Sequence, residues 1–212
     1  MTVTRFRLRV NGSDTTVEAG EQVPLLDLLR NACGLKATRF GCGTGECGAC
    51  HVLVDGASVP ACDTPAWSVD GKSVVTVEGL SVGGAPSRLQ QAFLAEQAGQ
   101  CGYCLSGILV TATALLARTP QPTETQVREA LDRHLCRCGA HNRIVRAVLR
   151  AVDVQAEGRR CHGLCLLQGS LVHRTAILCI APGCDAAQAA SLRWRHQTRE
   201  LDPVRTGVRR GA

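Results

Sequence analysis

The sequence predicts an α+β protein in two parts: a small mixed sheet with a helix packed across it, then four short helices. Three observations carry that reading. Two stretches alternate apolar and polar residues and turn at Asn11-Gly12 and Asp55-Gly56, the mark of tight hairpins. A Gly, Pro and Ser cluster, "SVGGAPSRL", punctuates the chain near residues 81–87, and the pattern beyond it is helical. Only six of the 212 residues are Phe, Trp or Tyr, so each core must rest on Leu, Val, Ile and Ala.

Taken in order, Phe6, Leu8 and Val10 alternate into the first hairpin, which continues through Val17. Pro24 suits the first turn of a helix whose apolar face is Leu25, Leu28 and Leu29 and which stops near Gly34. A cysteine-rich loop follows, then the hairpin "HVLVDGASVPAC" and a strand over residues 73–77. The boundary cluster divides the chain into parts at 1–80 and 87–153. Ser87 with Gln90 and Thr123 with Gln126 have capping-box spacing, so helices are expected from Arg88 and Glu124. Two more helical patterns cover 105–118 and 143–152, the second with Asn142 as N-cap. In such a bundle the connections alternate between its ends, which puts the "CGYC" and "CRCG" junctions together.

Composition narrows the function. The chain has 13 cysteines, far above ordinary cytosolic usage and below the density of a disulfide scaffold. "MTVTRFRLRVNG" lacks the basic start and apolar run of a secretory signal, and no apolar stretch approaches the roughly 18 residues of a membrane span. A cytoplasmic, reducing setting is expected, in which clustered cysteines bind metal or do redox work. The net charge of +6 is uneven: residues 1–154 carry 15 Lys and Arg against 14 Asp and Glu, residues 155–212 carry 9 against 4. With no basic stripe interleaved with aromatics in the first 154 residues, no nucleic-acid partner is expected.

Cys42, Cys47 and Cys50 are spaced C-x4-C-x2-C, the plant-type iron-sulfur pattern, and Cys62 follows as a candidate fourth ligand. Gly41, Gly43, Gly45 and Gly48 between them would let the loop turn tightly and aim backbone N–H groups at an anionic centre. A structural zinc site also uses four thiolates but usually pairs C-x2-C knuckles. For Cys101, Cys104, Cys136 and Cys138 the spacing alone leaves both metals open. A thioredoxin-like role for Cys101 and Cys104 lacks its strand-helix context.

"FGCGTGECGACHVLVDG", "QCGYCLSG" and "LCRCGAHNRI" together resemble the small iron-sulfur subunits of the molybdenum hydroxylases, the xanthine dehydrogenase and aldehyde oxidoreductase superfamily, over about residues 3–153. The likeness is greatest to the stand-alone subunits of bacterial enzymes that hydroxylate N-heteroaromatics such as nicotinate or isoquinoline. It implies a 2Fe-2S ferredoxin-like β-grasp domain with ligands Cys42, Cys47, Cys50 and Cys62. It implies a four-helix domain holding a second 2Fe-2S cluster on Cys101, Cys104, Cys136 and Cys138. It further implies that Gln100 and Cys138 lie against the pterin of a molybdopterin held by a large partner subunit. Glu46 and His51 stand where relatives often have Gln and Thr.

Other residues receive plainer expectations. Cys33 is a small buried hydrophobe. Arg39 and Arg137 flank ligand positions, as offsets to cluster charge or as solvated surface groups. His134 and His141 bracket a complete ligand pair and are not expected to coordinate. Residues 155–212 hold Cys161, Cys165, Cys179 and Cys184 with His162 and His173, match nothing in the family, and are expected to be disordered rather than a functional extension.

The expected function is electron transfer within a molybdenum hydroxylase that oxidises an N-heteroaromatic or aldehyde, with a flavin subunit or cytochrome as possible acceptor. No general base, nucleophile or substrate pocket is identifiable in this chain, so the substrate site is expected on the partner. The alternatives are a free two-cluster ferredoxin and a zinc-stabilised interaction module. A diffusible carrier would favour a strongly charged docking face, which the near-neutral first 154 residues lack.

Overall fold

The computed structural model describes residues 3–81 and 83–164, with side chains to residue 152. Strand β1 (Thr4–Val10) pairs antiparallel with β2 (Ser13–Ala19), and Asn11 and Gly12 adopt φ of 50° and 85°, as a primed two-residue hairpin turn demands. β3 (His51–Val54) and β4 (Ala57–Pro60) form the second hairpin, turning at Asp55 and Gly56 with φ of 48° and 83°. β5 (Ser73–Val75) fills the gap between them, parallel to β1 and antiparallel to β3, giving the order β2-β1-β5-β3-β4.

Two elements end differently from the sequence expectation. The strand expected to reach Val77 stops at Val75, because Thr76 is held elsewhere: its N–H donates to Asn11 Oδ1 at 2.9 Å and its hydroxyl to Glu78 Oε2 at 2.6 Å. The chain then makes a 3₁₀ turn over Val77–Leu80. The first helix, α1 (Leu25–Asp27), widens at once into a π-type turn over Leu28–Ala32. There the Cys33 N–H reaches the Leu28 carbonyl at 3.0 Å and the Leu35 N–H reaches Leu29 at 2.8 Å, across Gly34 at φ 69°. Arg30 holds this reversal by donating to the carbonyls of Lys36 and Thr38 at 2.9 and 2.7 Å.

Beyond residue 87 run four helices: α2 (Arg88–Ala95), α3 (Leu105–Arg118), α4 (Glu124–Leu131) and α5 (His141–Leu164). Both capping boxes form, at Ser87/Gln90 and Thr123/Gln126. Asn142 is not a cap: α5 starts at His141, and the Ala140 carbonyl already accepts from the Arg143 and Ile144 N–H groups at 3.0 Å each. The helix also continues well past the expected end at Val152, so Cys161 and His162 lie on helical backbone; Cys165, His173, Cys179 and Cys184 lie outside the described residues.

Each part has its own core. Phe6, Leu8, Val10, Val52 and Val74 pack with Leu25, Leu26 and Leu29 under the sheet; Phe93, Ile108, Val127, Ile144 and Val148 pack between the helices. The seam between them depends on β3 being buried on both faces. Leu53, pointing opposite to Val52 and Val54, meets Val110 and Ala114 of α3. One turn earlier α3 presents Gly107, where a Cβ would fall 1.9 Å from the Gly48 carbonyl oxygen. Gly107→Ala must therefore part the two elements; a loss of about 3 kcal/mol, the upper end of overpacking costs, is expected in chemical denaturation. Ser87→Ala, which removes only a cap, should cost about 1 kcal/mol.

Candidate metal centres

The loop from Gly41 to Cys50, closed by Cys62, brings four thiols together. Backbone N–H groups of Thr44, Glu46 and Cys47 point at Cys42 Sγ at 3.3–3.4 Å. Those of Cys42, Gly45 and Cys62 point at the sulfurs of Cys47, Cys62 and Cys50, each at 3.4 Å. Such a lining suits an anionic sulfur core. The glycines serve it in two ways. Gly43, Gly45 and Gly48 take φ of 74–79°, whereas Gly41 makes room: a Cβ there would lie 2.5 Å from Cys47 Sγ.

The thiols are graded from outside inwards. Cys42 is exposed, and hydrogen bonds from Thr44 and then Cys47 lower its pKa to about 6. Cys50 is buried in the sheet core; burial, and then the neighbouring Cys62, push it up to about 12.

The second quartet sits where the bundle's connections meet. Cys104 caps the start of α3 and Cys136 and Cys138 precede α5. Cys101 is exposed and lowered by the Tyr103 backbone N–H and then by Cys138; Cys104 is buried and pushed up to about 12 by burial and then by Cys136. The Ala140 N–H donates to Cys136 Sγ at 3.4 Å. The nine cysteines from Cys33 to Cys138 are free, and among the described residues no three His, Cys, Asp or Glu side chains are arranged about a single metal ion.

The frames are joined directly. The Leu135 N–H donates to the Cys47 carbonyl at 3.1 Å, and the Tyr103 hydroxyl donates to the Phe40 carbonyl. Arg39 lies over the Tyr103 ring, 5.8 Å from its centroid; Arg137 is exposed.

His134 is not directed at a sulfur. Its ring is 3% exposed, with Nε2 bonded to Thr111 Oγ1 at 2.9 Å. Burial, then His51, lower its pKa to about 4, so it is neutral at physiological pH. His141 is exposed and lines a cavity of about 320 Å³ with Arg128 and His134. Glu46 is exposed and contributes only its backbone. Cys33 is only partly buried against the sheet core, which raises its pKa. Gln100 is exposed on an open cavity of about 740 Å³ shared with Leu94, Leu105 and Arg143, and Cys138 is half-buried. Sequence reasoning did not find Tyr103, Leu135, Ser58 or Thr111; the small residues Gly107, Thr111 and Ala114 along one face of α3 were the available signal.

Residues 8–76 match the 2Fe-2S iron-sulfur cluster binding domain and residues 76–149 the 2Fe-2S binding domain. One nicotinate dehydrogenase subunit of Pseudomonas putida is 47% identical over 152 residues, spanning 72% of this chain and 97% of the relative. The chain belongs to the small iron-sulfur subunits of the molybdenum hydroxylase family. A second relative, the alpha subunit of isoquinoline 1-oxidoreductase of Brevundimonas diminuta, is 46% identical over 69% of this chain and 97% of its own length. Among solved structures, quinoline 2-oxidoreductase from Pseudomonas putida 86 matches with a TM-score of 0.70 and 37% identity, over 74% of this chain and 98% of that one. As a member of this family the chain is an electron-transfer subunit of an oxidoreductase with two 2Fe-2S domains, and both the zinc-module and free-carrier alternatives are set aside.

The graded thiols give a chemical test of the frame. In the cluster-free chain, iodoacetamide should label Cys42 and Cys101 well before Cys50 and Cys104 at neutral pH, as read by peptide mass spectrometry. A lowered pKa means that the Cys42 thiolate forms as pH rises, so its labelling rate should climb through a midpoint near pH 6.

Proposed function

We propose that Cys42, Cys47, Cys50 and Cys62 ligate one 2Fe-2S cluster and Cys101, Cys104, Cys136 and Cys138 the other, in a hydroxylase of N-heteroaromatic compounds. The observation that carries this is the pair of thiol quartets tied to each other through the Leu135–Cys47 hydrogen bond. When bound, each cluster supplies a one-electron site, so a two-electron oxidation on a partner can be passed on singly. The chain's own residues hold the thiolates, line the first site with N–H donors and keep the two loops in register. Gln100 and Cys138 are the positions facing the pterin of a molybdopterin on a large partner subunit. The open cavity beside Gln100 and the exposed Leu94 and Tyr103 support contact on that side. The substrate class rests on the relatives named for nicotinate and isoquinoline. A flavin subunit or cytochrome would take the electrons at the exposed Cys42 side. No helix among the described residues is long and apolar enough to cross a membrane, and the free thiols fit a reducing, cytoplasmic setting.

The anaerobically purified chain should contain about four iron and four acid-labile sulfide, two of each per cluster; zinc without sulfide overturns the assignment. Order of transfer is tested in the assembled enzyme by rapid-freeze electron paramagnetic resonance. Cys47→Ser should leave substrate reduction of the Cys101–Cys138 centre intact while turnover with the natural acceptor falls. Cys104→Ser should slow substrate reduction of both centres. The opposite pattern reverses the order.

A further inference from the structure

Four side chains between the two thiol quartets form a hydrogen-bonded chain that metal ligation does not use. His51 Nδ1 is bonded to Ser58 Oγ at 2.8 Å, Ser58 Oγ to Thr111 Oγ1 at 2.7 Å, and Thr111 Oγ1 to His134 Nε2 at 2.9 Å. Thr111 Oγ1 also lies 3.2 Å from His51 Nδ1, and the two imidazoles meet edge to face with centroids 4.8 Å apart. The members come from four segments: the start of β3 just after Cys50, strand β4, the middle of α3, and the connection that leads into Cys136.

Their placement is specific. Thr113, two residues along α3, satisfies its hydroxyl on its own helix through the Leu109 carbonyl at 2.8 Å, the ordinary local solution. Thr111 instead reaches across the seam, and its single hydroxyl meets three partners, the full capacity of one donor and two acceptor sites. The buried ring of His134 is also wedged against the first ligand loop, where a Cβ on Gly48 would fall 2.3 Å from His134 Nδ1. The next residue, Leu135, makes the hydrogen bond to Cys47. The apolar contacts of Leu53 with Val110 and Ala114 hold the seam shut without fixing its register, because dispersion and burial are non-directional; hydrogen bonds are not.

We propose that His51, Ser58, Thr111 and His134 are a positioning clamp that fixes the separation and register of the two ligand loops and so sets the coupling between the two centres. The proposal rests on the reading that both quartets hold clusters. Electron tunnelling and spin–spin interaction both fall steeply with separation, so a small slip at the seam is amplified in each.

The test uses the full chain with its clusters. Thr111→Val keeps the side-chain shape and removes the shared hydroxyl; Thr111→Ser keeps the hydroxyl; Ser58→Ala cuts the same chain at the sheet side. Iron and sulfide are counted first, then the intercluster splitting is read by electron paramagnetic resonance of the fully reduced chain, and electron equilibration after flash reduction is timed. With iron and sulfide retained, Thr111→Val should change the splitting and slow equilibration several-fold, and Thr111→Ser should preserve both. If Thr111→Val fails to hold its clusters, Ser58→Ala decides, with the same expected changes. A loaded variant whose splitting and equilibration match the unaltered chain overturns the clamp, even if its denaturation midpoint drops, because a merely structural role predicts that outcome. An unaltered chain that never holds iron and sulfide overturns the underlying cluster reading instead.

Discussion

The structure depends on one close approach of backbone to backbone, where Gly107 of α3 lies against the Gly48 carbonyl in the first ligand loop. With a Cβ only 1.9 Å from that oxygen, no other residue type fits without moving the helix off the sheet. The contact is what lets a loop belonging to one core and a connection belonging to another share a hydrogen bond, Leu135 to Cys47. Ser106 strengthens the same point by donating its hydroxyl to the Ala49 carbonyl at 3.1 Å. Two domains packed through ordinary side chains would stand a layer of side chains apart. Here the layer is missing beside the cysteine loop, where Gly107 meets Gly48.

The thiols themselves oppose burial. Cys50 and Cys104 are pushed to about 12 because a lone thiolate in an apolar core is costly, while Cys42 is drawn down to about 6 by N–H donors on the exposed side. An empty frame of this kind prefers its inner thiols protonated. Under the proposed ligation, metal binding would release protons from the buried members and so couple cluster assembly to the folding of the cores that bury them.

Much of this was legible in the sequence, and the reason is local. Asn11-Gly12, Asp55-Gly56 and the two capping boxes each act within a few residues, so spacing alone locates them. The cysteine spacings likewise reveal which residues can converge, since a single loop supplies three of the first four. What the sequence hid is set by partners far along the chain. Thr76 leaves its strand for Asn11, 65 residues away, and the wide turn after α1 follows from Arg30 capturing two carbonyls that no periodicity records. Asn142 has the right residue type for a cap, but Ala140 already occupies that position geometrically. The hydroxyls of Ser58 and Thr111, 53 residues apart, read in the sequence as an edge-strand serine and a helix threonine with nothing to connect them.

Each quartet has one thiol turned outward and others sunk into the core of its own part. Cys42 and Cys101 are exposed, whereas Cys50, Cys62 and Cys104 belong to the cores and Cys136 packs against one. A single carrier that collides with donors and acceptors in turn needs only one such outward face. Two centres in series need two, with an insulated and rigid junction between them. The buried polar side chains at that junction, Thr111 and His134, are worth their desolvation only if geometry matters there, because apolar residues of the same volume would seal the seam as well and leave its register free.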